Sequence, residues 1–218
     1  MHLAHSPAAS AVYAPGCRDC PRLAGFLDRV RRAHPAYLCK PVPPFGPADA
    51  ALVIVGLAPG MHGANRTGRP FTGDHCGGLM YDTLKKFHFA RGSFSPGGDD
   101  DLALQDCRIN SAVKCLPPDN KPETAEVARC NRYLAADLAR PGAKVLVALG
   151  AVGHGATLMA LGLKKSAFKF AHGAEHALPG GVRLLDSYHC SRYNTSTGRL
   201  TTAMFEAVFA RARTLVDA

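Results

Sequence analysis

No stretch of this chain is apolar for long enough to cross a membrane. The longest candidate, Lys144 to Leu163, is broken by Gly150, Gly153, His154, Gly155 and Gly162. It reads as a buried strand turning into a helix rather than the roughly 20 apolar residues a span needs. Met1 to Pro15 lacks a basic cluster followed by an apolar run, so no secretory leader is expected and the default compartment is a reducing cytoplasm. Repeats, low-complexity tracts and blocks of like charge are also missing, and no loop carries G-x-G-x-x-G or a Walker lysine, so nucleoside-triphosphate binding has no signature. Charge is sparse, 20% of residues against 47% hydrophobic, which excludes a disordered or fibrous chain. Acidic groups are in deficit: 26 Lys and Arg face 17 Asp and Glu, a formal net charge of +9. That surplus favours a polyanionic partner such as nucleic acid.

What is present fits one domain. A chain of 218 residues can bury its own core without staples, and 1–218 reads as a single unit. Its first part, 1–47, is a short N-terminal element joined to the main body by the proline-rich stretch Lys40 to Pro47. Within that element, Leu23, Phe26, Leu27 and Val30 recur at helical spacing over Cys20 to Ala33. The period then changes. Ala51 to Leu57 is a continuous apolar run of the kind buried on both faces of a parallel sheet. Further strands are predicted at Cys107 to Val113, Lys144 to Leu149 and Val182 to Ser187. Helices are predicted at Leu79 to Phe89, Pro122 to Ala139, around Ala156 to Leu163, and at Thr201 to Val216. Strands alternating with helices predict a three-layer α/β domain with a mostly parallel sheet. Its sites should lie in loops beyond the carboxyl ends of the strands.

Eight cysteines in such a chain suggest a metal or cluster rather than a disulfide framework. Cys17 and Cys20 form C-x2-C just before a helix. Cys115 and Cys130 follow later, and Cys130 shares the inward face of its helix with Val127, Leu134 and Leu138. Cys39, Cys76, Cys107 and Cys190 read as buried, apolar thiols. Four thiolates can hold tetrahedral zinc or an iron–sulfur cluster. Zinc ribbons usually pair two short knuckles and only one is present, so the spacing tilts mildly to a cluster and leaves both open.

Two loops carry chemistry. The first, GLAPGMHGANRTGRPFTGD from Gly56 to Asp74, lets the backbone approach a ligand. It also offers Asn65, Arg66 and Arg69 to phosphates, Phe71 as an aromatic face and Asp74 as a carboxylate at a helix start. The last, SYHCSRYNTSTGRLT from Ser187 to Thr201, follows a strand with His189 and a dense set of phosphate-capable donors. The plainer readings are a helix cap for Asp74 and a satisfied histidine for His189.

These two loops, with CRDC and with KCLPPDNKP leading to the helix of Cys130, resemble family 5 (UDGb-type) uracil-DNA glycosylases over Cys17 to Thr201. The resemblance implies an α/β/α sandwich around a four-stranded parallel sheet and a structural [4Fe-4S] cluster on Cys17, Cys20, Cys115 and Cys130. It further implies removal of deaminated bases from double-stranded DNA at the start of base excision repair. Three positions depart from better-known patterns of the superfamily. Gly60 stands where several relatives carry an acid or amide, which leaves Asp74 as the nearest acidic replacement. Ser111 stands where cluster-containing relatives place a uracil-reading asparagine, while Asn110, one residue off on a strand, faces the other way. Cys190 stands where relatives often carry proline.

Breaking an N-glycosidic bond puts positive charge on the sugar and negative charge on the departing base. Asp74 is therefore expected to orient the water and stabilise the sugar, Asn120 to position water or base, and His189 to serve the leaving base or the water. Phe71 would stack on the flipped base, with Gly56, Ala58, Gly60 and Ser111 lining its pocket. Ser191, Asn194, Thr195, Ser196 and Arg199 would grip phosphates beside Asn65, Arg66 and Arg69, while Arg192 and Tyr193 would fill the vacated stack. A monomer is expected. The rivals are a non-catalytic nucleic-acid-binding protein stabilised by a four-cysteine metal or cluster site, and a zinc hydrolase or deaminase. The latter lacks its H-x-E with P-C-x-x-C pairing.

Overall fold

The computed structural model describes residues 12–218; residues 1–11, most of the stretch read for a leader, lie outside the described residues. After α1 (Pro21–Ala33) the chain forms β1 (Leu52–Gly56), the short α2 (Ala64–Thr67) and α3 (Cys76–Lys86). A small antiparallel pair, β2 (Ala90–Arg91) and β3 (Ala103–Leu104), precedes β4 (Cys107–Ser111) and α4 (Thr124–Leu138). The second half runs β5 (Val145–Leu149), α5 (Gly150–Ala160), β6 (Glu175–Ala177), β7 (Arg183–Ser187), α6 (Arg192–Ser196) and α7 (Thr202–Asp217).

The main sheet has the order β4-β1-β5-β7-β6. Its first four strands are parallel, as the apolar runs predict, and β6 adds a fifth strand antiparallel to β7. The expected four-stranded sheet is thus corrected to five. β6 is three residues long, Glu-His-Ala, with no apolar alternation to betray it. Successive residues of the parallel strands alternate between two cores. Leu52, Ile54, Val145, Val147 and Leu185 pack with Met80 and Leu84 of α3 and Phe205 and Phe209 of α7. Val53, Val55, Leu146, Ala148 and Leu184 pack with Leu23 of α1, Leu134 of α4 and Ala156 of α5. That alternation is the three-layer sandwich, each fully buried aliphatic side chain contributing about 1.5–3 kcal/mol.

Two details set the site. α5 begins at Gly150, directly after β5, rather than around Ala156. The glycines that suggest a turn instead let the helix lie on β1: a Cβ on Gly153 would stand 2.6 Å from the Val55 carbonyl oxygen. On the other side, β4 is pinned to α4 through buried Asp137, which accepts from Arg108 Nε at 2.9 Å and from Asn110 Nδ2 at 2.6 Å. β1 therefore sits between β4 and β5, which are reached by successive crossovers in opposite directions. Such a switch point opens a crevice at the strands' carboxyl ends. No described helix is long and apolar enough to cross a membrane.

Candidate active site

A cavity of about 450 Å³ fills that crevice, a size that suits a small organic ligand. Its wall includes all eight residues expected to catalyse or to hold the base: Gly56, Ala58, Gly60, Phe71, Asp74, Ser111, Asn120 and His189. They arrive from the ends of β1, β4 and β7 and from the turn after β4, separate in sequence and joined only by the parallel topology.

Asp74 is half-buried in this wall. Its Oδ1 accepts the Cys76 N–H at 3.0 Å, a hydrogen bond that turns the chain into α3 and leaves Oδ2 outside that bond. Burial lifts the carboxyl above its ordinary value, against the opposing pulls of the Cys76 N–H and of nearby His189. Glycines make its room. A Cβ on Gly63 would come within 2.5 Å of Oδ2, and one on Gly60 within 3.4 Å.

His189 follows β7 and faces Phe71 with ring centroids 6.0 Å apart. Its Nδ1 is buried without a hydrogen-bond partner. Asn194 Nδ2 donates to the His189 carbonyl at 2.8 Å, and His75 Nε2 meets Thr195 Oγ1 at 3.1 Å, tying the two loops together. Phe71 takes a positive φ of 52° that turns its ring under β1, where Gly56 leaves the space: a Cβ there would be 3.3 Å from Phe71 Cζ. Ser111 faces the cavity. Asn110 points the opposite way and is held by Asp137, Lys114 Nζ and the Ser111 N–H, as strand alternation predicts. Asn120 lines the cavity from an exposed turn, Pro118–Asn120, at its rim.

The expected phosphate contacts divide. Ser191 and Arg192 lie on the cavity wall, and Arg192, Tyr193, Ser196 and Arg199 are exposed on or beside α6. Ser191 caps α6 and Thr195 joins the loops, so both serve the scaffold as well. Three residues of the first loop have partners within the protein. Arg69 forms a two-pronged pair with Asp100 (2.7 and 2.6 Å), donates Nε to Thr72 Oγ1 at 2.8 Å and lies against Phe45, Tyr81 and Phe94, so its charge is spent within the protein. Asn65 is fully buried beside Cys39 and the Met61 carbonyl. Arg66 spends Nε on the His62 carbonyl and Nη2 on the Pro96 carbonyl, and braces the loop.

Sequence reasoning missed the first turn of α5, Gly150 to Val152, and Cys76, all on the cavity wall. The first turn of α5, whose N–H groups have no partner within the helix, lines the crevice with the positive end of its dipole. Its signal was the apolar run ending in Gly150, read as a strand and turn.

A second cavity, on the α4 side of the sheet, is lined by all four expected cysteine ligands, Cys17, Cys20, Cys115 and Cys130, among Leu23, Pro41, Val113 and Tyr133. None of the four is in a disulfide. Lys114 N–H donates to Cys130 Sγ at 3.3 Å. Burial pushes Cys115 up to about 12, with the other three sulfurs adding to it.

Comparison with known proteins agrees with the geometry. A family model of the uracil DNA glycosylase superfamily matches residues 43–213. The type-5 uracil-DNA glycosylase of Thermus thermophilus is 46% identical over 206 residues, 91% of this chain and 93% of that protein. That of Pyrobaculum aerophilum is 39% identical over 200 residues, 90% and 87% respectively. A type-4 uracil-DNA glycosylase, from Thermotoga maritima, is 31% identical over 147 residues, 67% of each chain. Sequence similarity along nearly the whole chain and a crevice at the sheet's switch point lead to one assignment: the chain belongs to the uracil-DNA glycosylase superfamily, among the type-5 enzymes.

Proposed function

We propose that the protein is a monofunctional, cytoplasmic DNA glycosylase that acts as a monomer and hydrolyses the N-glycosidic bond of uracil, hypoxanthine and xanthine in double-stranded DNA, initiating base excision repair. The observation that carries this reading is Asp74: a carboxylate half-buried in a nucleoside-sized cavity, beside an aromatic ring and a histidine, and stabilised by no lysine or arginine among the described residues. A carboxylate held there with no lysine or arginine partner keeps its charge for the cationic sugar of glycosidic cleavage.

In the proposed reaction the extruded base enters against Phe71 and the small wall of Gly56, Ala58 and Gly60. The C1′–N bond breaks, and its electron pair leaves with the base. His189 and the N–H groups of the first α5 turn meet that negative charge. Asp74 stabilises the sugar and takes the proton of the water whose oxygen bonds to C1′. Its burial, which raises its proton affinity, suits that task. Asn120 orients water or base from the rim. Ser111 in place of an amide, within a cavity of about 450 Å³, supports acceptance of bicyclic bases as well as uracil.

The four cysteines gathered in the second cavity supply the donor set of a [4Fe-4S] cluster, four thiolates among apolar neighbours. The Lys114 N–H on Cys130 Sγ suits a cluster sulfur. Cys17, Cys20, Cys115 and Cys130 would hold it. It would supply a structural crosslink at residues that do not line the crevice.

The test is incubation of pure protein with duplex and single-stranded DNA carrying uracil, hypoxanthine or xanthine, scored for alkali-labile abasic sites. Release of all three, faster from duplex, is expected. DNA binding without abasic sites would establish the non-catalytic alternative, and uracil release alone would refute the wide pocket.

A further inference from the structure

Two buried thiols stand beside His189 and have no part in the excision chemistry. Cys76 opens α3 just after Asp74; Cys190 follows His189 at the end of β7. One ring nitrogen of His189 and the two sulfurs all lie within 4.8 Å of one another. We infer that Cys76, His189 and Cys190 form a binding site for a thiophilic divalent cation of the zinc class, and that its occupation withdraws His189 and stops base excision. The inhibitory half rests on His189 serving the reaction; the binding half does not.

Three observations support it. The donors are two sulfurs and an imidazole, the set zinc prefers, and small side-chain rotations bring them to the ~3.5–3.8 Å separations of tetrahedral ligands. The Nδ1 of His189 is buried with no hydrogen-bond partner, an unspent donor atom on a half-buried ring. Cys76 also forms part of the cavity wall, which gives an ion a route in and leaves a fourth coordination position facing the crevice. A second cluster, His154, Asp186 and His176, is equally close but already spent. There, His154 Nδ1 and His176 Nε2 meet Asp186 at 2.7 and 3.1 Å, and His154 Nε2 meets the Phe168 carbonyl at 2.9 Å.

Binding involves no redox change. Each thiol releases a proton to solvent and forms one S–metal bond, and His189 gives a lone pair. Two thiolates balance the dication, so the occupied centre is near neutral and does not cancel Asp74. Inhibition comes from removing the histidine's lone pair and from stapling the Asp74 and His189 loops together.

The test titrates zinc alone into metal-free-buffer holoprotein without DNA, following affinity by chelator competition and iron content alongside. Cobalt(II) gives an independent readout through the visible d–d bands of tetrahedral thiolate ligation. One tight equivalent is expected in the natural protein and none in Cys190→Ala or in the near-isosteric Cys190→Ser. Single-turnover uracil excision should fall at least about tenfold at saturating zinc and return on chelation. Both Cys190 variants should keep metal-free excision within about twofold and ignore zinc. Zinc binding that survives in both variants, or no tight binding at all, overturns the site. A Cys190-dependent equivalent that leaves excision unchanged overturns the inhibition. Absence of excision even without zinc would instead overturn the glycosylase reading, with zinc affinity still measurable.

Discussion

At the scale of single residues, Asp74 separates a functional carboxylate from a helix cap. Its folded-state pKa is raised chiefly by burial, so folding favours the protonated form. The native state then binds more protons than the unfolded chain between the two pKa values. Asp74 accordingly costs stability at neutral pH, and the cost grows as pH rises through the folded value. Asp74→Asn keeps an acceptor for the Cys76 N–H and removes that cost. Its melting temperature should be unchanged or higher at pH 7, while single-turnover uracil excision falls at least ~100-fold, about 2.7 kcal/mol of barrier. A lower melting temperature with near-normal excision would return Asp74 to capping. In the natural protein the acid limb of the pH–rate profile should lie above the ordinary carboxylate range, because activity is lost as pH falls through the raised pKa. Gly63→Ala is the companion variant. Its Cβ would come within 2.5 Å of Asp74 Oδ2, so excision should drop while the fold persists.

At the scale of elements, the strands were legible where burial on both faces forces an apolar run, as in β1 and β5. They were not legible where length fails, as in β6, or where glycine serves packing, as in α5. The same limit governed the site. Asp74, Phe71 and His189 stood out because a carboxylate, a ring and an imidazole at loop positions have a chemistry of their own. The fate of Arg69 was hidden because its partner, Asp100, lies 31 residues on. Cys17, Cys20 and Cys130 were readable from one short knuckle and one helical face, and their cavity joins α1, the turn after β4 and α4. A cluster there would hold the N-terminal element to the main body. Purified protein should be brown, with iron and acid-labile sulfide near a four-to-four ratio. Cys17→Ser or Cys130→Ser should lower yield and thermal stability more than turnover per folded molecule. Colourless, zinc-loaded, active protein would remove the cluster.

At the scale of the whole molecule, the net charge of +9 matters only where it is free to act. Arg66 and Arg69 are bound to carbonyls and to Asp100, which moves the expected DNA-facing charge to the α6 side of the crevice. Arg192→Ala and Arg199→Ala should each flatten the salt dependence of DNA binding by about one unit of log–log slope. Between them stands Tyr193, 69% exposed, an aromatic ring left in water beside the cavity-lining Arg192. In duplex DNA the extruded base leaves a gap in the stack, and opening it costs a few kcal/mol. A ring inserted there recovers stacking worth about 1–3 kcal/mol, roughly 5- to 150-fold in the population of extruded complex. A single strand has no gap to fill. Tyr193→Ala should therefore slow uracil excision from duplex by about fivefold or more and leave excision from single strands within about twofold. Tyr193→Phe, which keeps the ring, should restore the duplex rate. Equal losses on both substrates would mean that Tyr193 grips the backbone instead, and the loss should then shrink as salt is lowered.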